Sequence, residues 1–187
     1  MHEPRPGNRA SGQSKIIHIV QGEHYVSDDP DVVLATLLGS CVAACIRDVR
    51  SGIGGMNHFL LPGPTEVQRA DEAERYAAHL MELLVNALLN AGASRRHMEA
   101  KLFGGASTLS GRTDIGAQNA EFATNFLARE DIPLIGQCMG GPNGRRVQYW
   151  PTTGRARRSF IANVEVPPPA VTATLKPFSA AGSLELF

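Results

Sequence analysis

The most constraining stretch is Asp71 to Ala91, where Ala73, Tyr76, Ala77, Leu80, Leu83, Leu84, Ala87, Leu88 and Ala91 recur at three- and four-residue intervals. That spacing gathers them on one stripe of a helix, and the stripe needs an apolar surface to cover. Asp71, Glu72 and Glu74 suit the positive end of the helix dipole, and Gly92 predicts the C′ stop. The flanking sequence is of another kind. Lys15 to Val20, Val32 to Leu38, Cys41 to Asp48 and Ile53 to Leu61 are short apolar runs, the last two parted by a polar turn at Val49-Arg50-Ser51-Gly52. Four such runs in succession predict a mostly antiparallel start. Further strands are predicted at Met98 to Phe103, Ile132 to Met139 and Arg145 to Trp150, and Arg157 to Val164 reads as a hairpin partner beyond the turn Pro151-Thr152-Thr153-Gly154. A second helix is predicted over Ala117 to Glu130, with Ala120, Ala123, Phe126 and Leu127 facing inward. The expected class is α+β, a sheet or pair of sheets with mostly antiparallel strands and two main helices.

Residues 1–14 are polar and rich in Gly, Pro, Arg and Ser, and read as a disordered tail. Residues 167–187 open with Pro167, Pro168 and Pro169 and read as a second tail; its end, Leu184 to Phe187, either docks on this domain or a partner or has no role. One folded domain is expected over 15–166, and a chain of 187 residues with 43% hydrophobic content can bury a real core there. Eighteen Lys plus Arg offset eighteen Asp plus Glu, a balance that argues against nucleic acid, whose binding depends on counterion release. No apolar run approaches the roughly 20 residues that span a bilayer, and the first residues lack the apolar segment of a secretory signal. Cys41, Cys45 and Cys138 cannot all pair within one chain, so free thiols in a reducing cytoplasm are expected. The absence of Cys-x-x-Cys or His-x-x-x-His spacing leaves no metal site to expect.

The chemistry-bearing candidates are Cys41 and His58. Cys41 follows the tight turn Gly39-Ser40 at the mouth of a strand, near a surface, where a nucleophile is accessible. Cys45 shares its face two residues deeper and reads as packing. If the following turn is centred between Val49 and Arg50, Cys41 stands directly opposite His58, with Cβ atoms about 4.5–5.5 Å apart. A register shifted by two leaves a diagonal contact, whereas a shift by one puts the pair on opposite faces. An imidazole beside a thiol is the minimum for thiol catalysis: it takes the sulfur's proton and later protonates a departing amine. A buried Cys packed beside a hydrogen-bonded core His fits the same residues. Gly104-Gly105-Ala106-Ser107 is either an anion cradle or a plain turn. Gly140 to Arg146 reads as a hairpin connection, Arg155, Arg157 and Arg158 as a solvated face, and His18, His24, His79 and His97 show no partners.

LGSCVAACIRD (38–48), GGMNHFLLP (54–62), KLFGGAS (101–107), IGAQN (115–119) and GGPNGRRVQYWPTTG (140–154) together resemble the CheD family, the chemoreceptor glutamine deamidases of bacterial chemotaxis. The resemblance runs in order along roughly residues 15–165. It implies a layered α/β sandwich related to the deamidating bacterial toxins, and hydrolysis of receptor glutamines to glutamate and ammonia without a cofactor. It also implies Cys41 as nucleophile and His58 as general base and acid, and in some organisms a CheC-type phosphatase as a further partner. The family's third catalytic residue is a Thr six positions before the Cys, where this sequence has Ala35; Thr36 is one position later. Since one step along a strand reverses the face, either a local bulge lets Thr36 serve or the third role is lost or taken by backbone. Backbone N–H groups of Ser40 and Cys41 are the expected oxyanion donors. Two other readings stand beside the deamidase: a non-catalytic adaptor for receptor or phosphatase, which Ala35 favours, and a peptidase or methylesterase using the same pair.

Overall fold

The computed structural model describes residues 14–61, 70–107 and 114–161. Residues 1–13 of the first predicted tail, the whole of the second, the stretch 162–166 and the side chains of Asp71, Glu72 and Ala73 lie outside the described residues. Among the described residues nine strands and two α-helices follow in order: β1 Lys15–His18, β2 His24–Ser27, β3 Val32–Leu38, β4 Val42–Asp48, β5 Gly54–Asn57, α1 Ala70–Asn90, β6 Met98–Gly104, α2 Ile115–Arg129, β7 Leu134–Met139, β8 Arg145–Trp150 and β9 Arg155–Phe160. They form a four-stranded sheet, β1-β3-β8-β9, and a five-stranded sheet, β2-β5-β4-β6-β7. Five of the pairings are antiparallel and two, β1 with β3 and β6 with β7, are parallel. The expected α+β class with mostly antiparallel strands and two main helices holds.

Three layers result. Ile19, Val32, Leu34, Leu38, Ala43, Cys45, Met56, Phe103, Val147 and Tyr149 fill the space between the sheets. Val42, Ala44, Ile46 and Phe59 face the other way, onto a second core with Ala77, Leu80, Met81, Leu84, Val85 and Leu88 of α1 and Ala123, Phe126 and Leu127 of α2. β4 is therefore buried on both faces, which explains its near-continuous apolar sequence. The buried face of α1 centres on Met81 and Val85 rather than on Tyr76, which is half exposed. Leu84 is fully buried there, and truncating such a side chain to Ala costs about 2–5 kcal/mol. Gly92 ends α1 with φ at +104°. Asp114 caps α2, its carboxylate accepting from Ala117 N at 2.9 Å, and the helix starts at Ile115, two residues before the expected Ala117.

The beginning of the chain differs from the antiparallel run expected. β1 pairs parallel with β3. β3 and β4, adjacent in sequence, lie in different sheets. β2 is short and half polar, HYVS, and carried no apolar signal. Gly140 to Arg146 is likewise no hairpin loop, because β7 and β8 belong to different sheets and this segment crosses between them. The buried Arg145 guanidinium packs inside that crossing, donating to the carbonyls of Cys138, Gly140 and Asn143.

Candidate active site

Cys45 pairs with Met56 and Ile46 with Gly55, and a further bridge joins Val42 to Phe59. The β4–β5 pairing is thus centred between Arg50 and Ser51, one residue beyond the predicted centre. Asp48 causes the longer turn: its carboxylate accepts from Arg50 N at 2.7 Å and Ser51 N at 3.2 Å. The register shifts by two, so Cys41 is diagonal to His58 rather than opposite it. The face is preserved. Cys41 packs on the inter-sheet core with Ala43, Cys45 and Met56, and His58 has the parity of Met56. Diagonal neighbours, about 7–8 Å apart at the backbone, remain within reach of a ring.

Thr36 enters from the other sheet. Its parity matches Val32, Leu34 and Leu38, so it points into the space that Met56 and His58 face, and its Oγ1 lies 2.9 Å from His58 Nδ1. No bulge is needed: β3 keeps one register with β1 and with β8 throughout. The hydroxyl donates its single hydrogen to Ile19 O at 2.7 Å and must therefore accept from Nδ1–H. The imidazole is held as the Nδ1–H tautomer, leaving a lone pair on Nε2. That Nε2 is buried and has no hydrogen-bond partner among the described residues. Burial pushes the His58 pKa down, partly offset by the Ile19 carbonyl.

Cys41 is half buried. Burial raises its thiol pKa, and its own backbone N–H pulls the other way. The sulfur faces Gln21 Oε1 at 3.9 Å rather than hydrogen-bonding Nε2. Gln21 reaches it because the turn that carries it is tied to His58, Gly22 N donating to His58 O at 2.8 Å and His58 N to Glu23 O at 3.0 Å. The pair at rest is a neutral thiol and a neutral imidazole on one face.

The Cys41 segment is anchored by two motifs distant in sequence. Gly105 N donates to Cys41 O at 2.7 Å and Ala106 N to Gly39 O at 2.8 Å. These amides are spent on the chain itself, so the segment is a turn and no anion cradle. Gly104 has φ +119°, and a Cβ there would run into the Cys41 carbonyl. Asn119 Nδ2 donates to Ser40 O at 3.1 Å, while its Oδ1 accepts from Leu61 N at 2.7 Å. Among the described residues, the Ser40 and Cys41 N–H groups donate to no backbone carbonyl. Cys45 is fully buried, and burial raises its thiol pKa strongly. Among the described residues no cluster of His, Cys, Asp and Glu is arranged for a metal ion.

The family model described as CheD chemotactic sensory transduction matches residues 60–159. A Rhizobium johnstonii protein curated as "Probable chemoreceptor glutamine deamidase CheD" is 53% identical over 155 residues, covering 82% of this chain and 84% of its own. The chain belongs to the CheD family. A Caulobacter protein with the same curated name is 48% identical over 183 residues and covers 95% of each chain. An Agrobacterium fabrum relative, again so named, is 54% identical over 152 residues, with 81% and 83% covered. Among solved structures, a Neisseria meningitidis protein superposes with TM-score 0.43 at 13% identity, over 68% of this chain and 62% of that one. No helix of the described residues is long and apolar enough to cross a membrane.

Two residues of this site escaped the sequence reading. Asn119 closes the motif IGAQN but is assigned no role there, and on the buried face of α2, between Gly116 and Ala123, its lone carboxamide is the signal for one. Gln21 lies in a polar turn with nothing to set it apart.

Proposed function

We propose that this chain hydrolyses glutamine side chains of methyl-accepting chemotaxis receptors to glutamate and ammonia, with Cys41 as nucleophile, His58 as general base and acid, and Thr36 orienting His58. The observation that carries the mechanism is the Thr36–His58 hydrogen bond of 2.9 Å, because it commits Nδ1 to its proton and frees Nε2 as a base. Its raised pKa keeps Cys41 a thiol, so attack needs that base. As sulfur bonds to the glutamine Cδ, its proton passes to Nε2 and the carbonyl electrons move onto oxygen. The N–H groups of Ser40 and Cys41 stabilise the oxyanion, a contribution of about 2.7–4 kcal/mol per donor. Collapse breaks the C–N bond, and His58 protonates the departing nitrogen, which leaves as ammonia. Water then adds to the thioester, giving a proton to Nε2; the sulfur departs and takes that proton back.

No cofactor takes part. The work belongs in the cytoplasm, on the receptor's cytoplasmic helices, and a CheC-type phosphatase is a second partner to test by co-purification. The adaptor reading drew on Ala35, and with Thr36 bonded to His58 that argument lapses. Ammonia release from purified receptor, wild type against Cys41→Ala, tests the proposal. Release by the wild type alone, with a gain of about one dalton on intact receptor, is expected; equal background release would refute it, and chain cleavage would point to a peptidase.

A further inference from the structure

We infer that Asn119 is the positioning residue of the oxyanion site, holding the Ser40 carbonyl so that the Cys41 N–H is presented to the substrate oxygen. This rests on the deamidase reading above. A peptide is planar, and in a trans peptide C=O and N–H point in opposite directions; no described peptide is cis. Ser40 O and Cys41 N belong to one such unit. Asn119 draws Ser40 O toward the helix layer, so the Cys41 N–H turns toward the inter-sheet space, the side on which Cys41 itself packs. The downward pull of that N–H on its own thiol's pKa is consistent with this placement.

The neighbouring peptides are held in the same manner. Ala106 N fixes Gly39 O, and with it the direction of the Ser40 N–H, and Gly105 N fixes Cys41 O. Three successive carbonyls are thus gripped, and Asn119 supplies the only side chain among the described residues that grips one of them. Asn119 is fully buried, and its polar capacity is used: Nδ2 donates to Ser40 O and to Ile115 O at 2.8 Å, and Oδ1 accepts from Leu61 N. Leu61 lies three residues beyond His58, so one carboxamide joins the nucleophile's segment to the base's.

Asn119→Asp keeps an acceptor for Leu61 N and loses the donor to Ser40 O. Two rates on the full chain separate positioning from mere bracing: ammonia release from purified receptor, and alkylation of Cys41 by iodoacetamide followed on the Cys41 peptide. Alkylation displaces iodide from a saturated carbon and develops no oxyanion, so it reports the thiol and its base alone. A fall in kcat of about 100-fold, with KM and alkylation near wild type, is expected. Alkylation falling in step with kcat, or an unchanged kcat, overturns the inference. Asn119→Ser, which buries no charge, serves where Asn119→Asp does not fold, and failure of both to fold also overturns it. Failure of the deamidase reading shows separately, as a wild type that alkylates but releases no ammonia.

Discussion

The two ends of β4 treat polar groups in opposite ways. At Asp48 every demand is met: the carboxylate accepts from Arg50 N, Ser51 N and, at 2.8 Å, Ser94 N, with His97 Nδ1 3.9 Å away. Nearby, Arg47 meets Glu99 at 2.7 Å and Lys101 donates to Gly154 O at 2.7 Å. At Cys41, seven residues earlier, the buried His58 Nε2 has no partner among the described residues and the Ser40 and Cys41 amides meet no backbone acceptor there. A buried polar atom without a partner costs about 1–3 kcal/mol. The strand saturates its polar groups at one end and leaves them open at the other, and it is this open end that the proposed mechanism uses for a substrate.

The largest effects test that contrast directly. Cys41→Ser and His58→Ala should each abolish ammonia release while thermal melting changes little, since the site carries unmet bonds; collapse of both folds would make the Cys41 end structural too. Thr36→Val removes the acceptor for Nδ1–H, and kcat should fall on the order of 10- to 100-fold, with Thr36→Ser restoring most of it. Asp48→Ala should do the reverse. It strands three amides at about 1–3 kcal/mol each, so the melting temperature should drop by several degrees while kcat at low temperature stays near wild type.

The two ends also titrate differently. Burial would raise the Asp48 pKa, but the N–H groups of Ser94, Arg50 and Ser51 and the Ser51 hydroxyl outweigh it, and the net shift is downward. The stability Asp48 contributes is therefore present above the ordinary carboxylate range and lost as pH falls through its lowered folded value. Activity should fade earlier on acidification, when His58 is protonated, but still below the ordinary imidazole range because burial depresses its pKa. Parallel pH profiles of ammonia release and of melting temperature should show these two limbs apart; a single shared limb would erase the distinction. The smallest effect is expected from Arg47→Gln, because the partly exposed pair with Glu99 is worth only about 0.2–1 kcal/mol.

Much of this was legible in the residues because it depends on local periodicity. The stripe on α1, the apolar runs of β3 and β4, the strands β6 and β8, and the shared face of Cys41 and His58 follow from which way successive side chains point, and the shared face survived a register shift of two because strand parity repeats at that interval. Two things required the folded chain. One is that β3 and β4, neighbours in sequence, separate into facing sheets; only then does Thr36 meet His58 across the core, which no argument confined to a single strand could anticipate. The other is that helix α2 delivers Asn119 to the Ser40 carbonyl. Both are contacts between layers, set by how whole faces pack, and face-to-face packing leaves no period in the chain to read.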